Sequence, residues 1–364
     1  MRFRAPREHE AEERAWQVVS AAYAEREPVA WPRRHVRPLV AGALVAAVVA
    51  AILSPPGRSV VHSLRKAVGV QRAEQALFSL PTPGQLLVTS RTGTWLVRQD
   101  GSKRLLGRYR DAAFSPHGLF IAATRANQLV ALDPKGNVRW TLARPGPRFP
   151  AWTGTSTDTR IAYLSGGRLR IVAGDGTGDR ALGRAALVAP AWRPGPGRVI
   201  AFAATPESVI VLNADDGTVL RRLRSSEPVR KLRWSSEGLL LVFAPHATRV
   251  YDRRGRVVEE DDPSEATFDR DAAFIGKTPE VAAIRAAGLG SSIFSLASGR
   301  AFFNGSGVLS QLVSSPDGRW LLLAWPTANQ WVFVRLQPRK IVGVSRVTQQ
   351  FGRSATIQGW CCAG

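Results

Sequence analysis

The chain has 364 residues, with 50 Lys and Arg against 28 Asp and Glu and a formal net charge of +22. A hydrophobic share of 45% and a charged share of 21% allow a sizeable core and exclude global disorder. The only cysteines are the adjacent Cys361 and Cys362, which excludes a disulfide framework. The basic excess is almost all arginine, 44 Arg to 6 Lys, and with the many alanines it partly reflects GC-rich coding rather than nucleic-acid contact.

Residues 10–26 have helical periodicity, with Trp16, Val19 and Tyr23 on one face. The functional reading is a docking helix for a cytoplasmic partner; the bland one is a frayed tail, because a lone helix of this length is marginal in water. The long uncharged run Leu39–Leu53 follows, bounded by Arg33, Arg34 and Arg37 and by the stop Ser54-Pro55-Pro56-Gly57. Its fifteen residues reach about 22 Å as a helix, short of a hydrocarbon core of about 30 Å. Val36 and a snorkelling Arg37 extend it enough for a thin crossing. The alternatives are a core helix and a cleaved signal peptide. The run is preceded by about 38 residues, more than a usual signal allows. The expected organisation is a cytoplasmic tail (1–35), a transmembrane helix (36–54), a juxtamembrane spacer (55–79) and a β-propeller (80–364). Arginines and lysines near the two ends of the run balance, so a short N-terminal tail decides the expected orientation, N-in with the propeller extracytoplasmic.

From residue 80 short apolar strands alternate with Gly, Pro, Asp and Ser clusters. An aromatic anchor followed by a turn recurs at Phe114, Trp152, Trp192, Trp234 and Phe274, and continues at Val313, with spacings of 38, 40, 42, 40 and 39. A hairpin glycine keeps the same time at Gly101, Gly136, Gly176, Gly217, Gly255 and Gly299. Two markers in one period of four strands predict propeller blades. The first unit lacks an anchor strand, and the last segment, Ala355–Trp360, is an anchor strand with nothing after it. Joining them closes a ring of seven and removes exposed edges. The predicted fold is thus an all-β, seven-bladed propeller closed by its C-terminal strand.

The run Ser315-Pro316-Asp317-Gly318-Arg319-Trp320-Leu321-Leu322-Leu323 resembles the SPDG repeat of TolB-type, WD-repeat-like propellers, and Ser115-Pro116-His117-Gly118 is a near copy. The resemblance covers roughly residues 80–362. It implies a rigid bacterial scaffold that binds proteins or peptides through its faces and channel. The hairpins Ala131–Leu142 and Val211–Leu223 also resemble pyrroloquinoline-quinone propeller repeats, although only Trp140 matches that family's docking tryptophan.

Catalytic patterns are scarce. There is no G-x-S-x-G elbow, and the five histidines are scattered without metal-ligand spacing. Gly174–Asp179 looks like a phosphate cradle or calcium loop, yet falls in the hairpin register with no helix after it. No enzyme activity, cofactor or metal is expected. Cys361 and Cys362 read either as a vicinal disulfide, or a bridge to another chain, or as two small residues filling the closing blade. Blade-to-blade connections share one face, and four consecutive ones carry Arg108, Arg110, Arg144, Arg148, Arg184, Arg224 and Arg230. The next reverses sign with Glu259, Glu260, Asp261, Asp262, Glu265, Asp269 and Asp271. The basic arc suits an acidic protein or peptide or an anionic envelope ligand; the plain alternative is solvated arginine on an arginine-rich surface. A sensor whose cytoplasmic helix controls a signalling partner is the second reading, and a lyase or quinone enzyme the third. Nucleic acid is not an expected partner, because the aromatics keep anchor spacing rather than interleaving with basic residues.

Overall fold

A computed structural model of the chain describes residues 74–75, 79–155, 158–195 and 197–362. The tail with Trp16, Val19 and Tyr23 and the segment 36–54 lie outside the described residues. Among the described residues no helix is long and apolar enough to cross a membrane.

Seven sheets, antiparallel except for one added edge strand, form the ring, numbered here as blades 1 to 7. Their innermost strands are Thr356–Cys361, Asp111–Phe114, Arg148–Gly154, Ala191–Trp192, Lys231–Trp234, Thr267–Phe274 and Ser310–Ser314. Each contacts the next, and the last contacts the first. Closure runs through blade 1, where the C-terminal strand pairs with Gln85–Ser90 in a register that sets Trp360 opposite Leu86. The sequence expectation of seven blades closed by the C-terminal strand therefore holds, and residues 267–306, divergent in sequence, form a regular blade 6.

Local chemistry explains the repeat. The hairpin glycines Gly136 (φ 90°) and Gly217 (φ 80°) occupy the left-handed region, which costs glycine least. In the SPDG-type turns, Ser115 Oγ accepts the Phe120 N–H and Ser315 Oγ accepts the Trp320 N–H, both at 3.0 Å. Second and third strands are buried on both sides, as in Ile121–Arg125 and Trp320–Trp325, because each is covered by the neighbouring blades. The core is thus a series of apolar layers between blades, such as Leu321, Leu323, Val332 and Phe303 between blades 6 and 7.

Three details differ from the sequence reading. By turn alignment the anchor place in blade 7 belongs to Ser314, not Val313, and the Ser314 hydroxyl accepts the Gly276 N–H at 2.8 Å. Part of the expected spacer, Glu74–Gln75, is a parallel strand on the outer edge of blade 7. A five-residue helix, Val347–Phe351, precedes the closing strand, and its Phe351 stacks on Trp331 at 4.8 Å.

Candidate functional site

Second-to-third-strand turns and blade-to-blade connections lie on one face, the connection face; the SPDG-type turns and third-to-fourth-strand hairpins lie on the other, the turn face. Each face carries a cavity lined by arginine.

On the connection face, repeated hydrogen bonds tie the inner strands together. Three residues before the anchor, a polar side chain accepts an N–H from the next blade: Asp111 from Phe149 (3.1 Å), Asp271 from Leu312 (2.7 Å) and Gln311 from Ile357 (2.8 Å). Arg148 adds an ion pair to Asp111 at 2.7 Å. Arg144 pairs with Asp179 at 2.5 Å, and the same carboxylate binds Arg170 and the Tyr163 hydroxyl. Burial opposes ionisation of Asp179, but hydrogen bonds from Arg170, Tyr163 and Arg144 outweigh it and hold its pKa below the usual value. Burial, reinforced by Asp179, pushes the Tyr163 hydroxyl up to about 12. Two of the seven arginines expected to bind a ligand, Arg144 and Arg148, are thus ion-paired between neighbouring blades.

The other five, Arg108, Arg110, Arg184, Arg224 and Arg230, are exposed. Arg108 and Arg110 converge with Arg91 and Arg125 on an open cavity of about 440 Å³ between blades 1 and 2. No carboxylate lines it, and Arg125 binds the neutral Gln128 side chain at 2.7 Å. Tyr109 also lines it; burial raises its phenol above the usual value although Arg125 opposes the shift, so the hydroxyl stays a neutral donor. Arg184, Arg224 and Arg230 are not among its lining residues. The acidic sector is largely engaged internally: Arg249 pairs with Glu260 and Asp262, Arg285 with Asp261 and Asp269, and Lys231 with Asp271.

On the turn face the channel opens into a cavity of about 1030 Å³. The predicted anchors Phe114, Trp152, Trp192, Trp234, Phe274 and Trp360 line its wall. Trp192 Nε1 and Trp234 Nε1 each donate to the preceding blade, to the Ala151 and Ala191 carbonyls at 3.0 Å. Three arginines, Arg193, Arg198 and Arg233, reach this cavity against one carboxylate, Asp158. Arg198 is bound to Asp158 and to Asp215. Cys361 lines the mouth and is joined to Cys362 as a disulfide. In the Gly174–Asp179 loop, Asp175 bonds Thr177 while Asp179 serves the arginine network, so these two carboxylates are engaged separately.

Sequence reasoning missed Arg193 and Arg233. A signal for the latter existed in the repeat register. The residue before the anchor is Ala113, Ala151, Ala191, Ala273, Val313 and Gly359 in six blades, and Arg233 in blade 5. Small or apolar residues keep the channel open; one blade sends a cation into it.

No family model matches the chain, and no curated protein matches it. Solved structures do match, 1118 chains in all, a breadth that identifies a widespread fold and selects no function. Among them is hydrazine synthase of Kuenenia stuttgartiensis, 14% identical with a TM-score of 0.50, covering 68% of this chain and 79% of that chain. At that identity the likeness concerns the fold alone.

Proposed function

We propose that the chain is a non-enzymatic, membrane-anchored extracytoplasmic scaffold that binds an acidic protein or peptide through the connection face, at the cavity between blades 1 and 2. The observation that carries this reading is the convergence of Arg91, Arg108, Arg110 and Arg125 on one cavity that no carboxylate lines. Four like charges repel one another, and an incoming anion relieves that repulsion while using the fork geometry of guanidinium. The non-enzymatic part rests on the chemistry offered: arginines stay protonated at neutral pH and hold anions rather than transfer protons. The anchor and the N-in orientation rest on the apolar run Leu39–Leu53 and its flanking charges.

The test is calorimetric titration of the full chain in detergent with a decapeptide of glutamates, at low and physiological salt. Arg108→Glu with Arg110→Glu is expected to weaken binding at least tenfold. Arg184→Glu with Arg224→Glu, an equal change in net charge away from the cavity, is expected to change it less than threefold. Equal losses from the two pairs refute the site and leave only non-specific attraction.

A further inference from the structure

The inner strand of blade 5, Lys231-Leu232-Arg233-Trp234, buries Leu232 in the core and directs two cations inward. Lys231 Nζ reaches Asp271 Oδ1 of blade 6 at 2.7 Å and the Leu312 carbonyl of blade 7 at 3.3 Å. Asp271 is already shared: Oδ1 also accepts its neighbour Ala272 N–H at 2.9 Å, and Oδ2 accepts Leu312 N–H at 2.7 Å. Arg233, lining the cavity, has no ion pair or hydrogen bond from its guanidinium among the described residues. Its side chain is exposed to the channel water, while the surrounding ring desolvates it in part and lowers its pKa although Asp271 opposes the shift. Two cations and one carboxylate leave a single uncompensated positive charge at depth. Arg233 and Lys231 repel one another across this part of the channel, and a bound counter-ion relieves that repulsion.

The space and its walls define the counter-ion. The cavity is at the upper end of the range for small-molecule sites. Flat aromatic side chains surround it, and Arg193, also without an ion pair among the described residues, stands nearer the mouth. One unmatched charge at depth fits a monoanion; a dianion needs a second free cation there, and Lys231 is already committed to Asp271. We propose that the channel binds a compact organic carboxylate with a flat apolar body, its carboxylate on the Arg233 fork and its body against Trp152, Trp192 and Trp234. This site lies on the face opposite the acidic-partner cavity and stands independently of it.

The experiment is calorimetric titration of the full chain with indole-3-carboxylate and its neutral isostere indole-3-carboxamide. The acid is expected to bind at least tenfold tighter than the amide. Arg233→Gln is expected to abolish that preference, and Arg233→Lys to keep part of it. Arg108→Glu with Arg110→Glu leaves it unchanged, which separates the two sites. The ligand-free Arg233→Gln protein is expected to melt at or above the wild-type temperature, an outcome that a structural arginine does not give. A hexapeptide ending in tryptophan, with free or amidated terminus, identifies the source: tighter binding of the free-terminus peptide than of the free acid assigns the carboxylate to a chain end. Equal affinity for acid and amide, a preference that survives Arg233→Gln, or no binding of either carboxylate probe at millimolar concentration overturns the assignment.

Discussion

Asp179→Asn is the sharpest test of the idea that paired arginines hold the ring together. Asp179 is 5% exposed and accepts from Arg144 of the blade 2–3 connection and from Arg170 and Tyr163 within blade 3. Removing one partner from a buried ion pair costs about 3–5 kcal/mol. Two features reduce this. Asparagine keeps an acceptor oxygen, and Arg144 and Arg170 retain 32% and 21% side-chain exposure, through which water reaches them. A loss of about 2–3 kcal/mol follows, which for a unit this long corresponds to roughly 4–6 °C in Tm. Circular dichroism melts at pH 7 measure it, with Asp175→Asn as control, since Asp175 bonds only its exposed hairpin neighbour Thr177. The folded pKa of Asp179 is depressed, so its contribution is complete above the unfolded value and is lost as pH falls through the folded one. The gap between variant and wild type must therefore close in acid. A Tm drop no larger than that of the control, or a gap that persists in acid, refutes the reasoning.

Two further predictions concern pH and close packing. Asp269 is enclosed beside Asp261, with Arg285 shared between them; burial and Asp261, opposed by Arg285, push its pKa up to about 7. Between an unfolded value of about 4 and 7 the folded protein holds a proton that the unfolded chain does not, so stability falls as pH rises across that window. Asp269→Asn is expected to flatten this slope in urea titrations from pH 4 to 8, and an unchanged slope rejects the assignment. Gly276 (φ +62°) faces Gly318 across the blade 6–7 junction, where an added Cβ lies 2.3 Å from the Gly318 Cα. Gly276→Ala is expected to lower Tm more than Gly178→Ala, which has a similar φ of +64° and open space; equal effects reduce the constraint to backbone strain.

The architecture was legible because it rests on local chemistry repeated at a fixed interval. A hairpin glycine at positive φ and an aromatic at the end of an inner strand are demanded in blade after blade, so they recur in register. Closure was legible from two incomplete units that complement each other. The anchor of blade 7 is hidden from an apolar pattern, because Ser314 fills that place by hydrogen bonding to Gly276. The strand Glu74–Gln75 carried no signal, since two residues show no periodicity.

The candidate sites were less legible, because an arginine's role depends on its partners rather than on its density along the chain. Arg144 and Arg148 fall in the basic arc, but Asp179 and Asp111 hold them. Reversing their charge with Arg144→Glu and Arg148→Glu sets carboxylate against carboxylate and perturbs the fold before it reports on any ligand. Arg108 and Arg110 sit in the same arc, and their spacing matches that of many solvated residues; only the approach of Arg91 and Arg125 in space distinguishes them. Arg233 is not in the arc at all. Its unmatched charge follows from ring closure, which brings blades 5, 6 and 7 around one channel and supplies one carboxylate for two cations. The +22 formal charge is therefore a poor guide to binding; what singles out Arg108, Arg110 and Arg233 is the cavity each lines, together with the absence of an ion pair to it among the described residues.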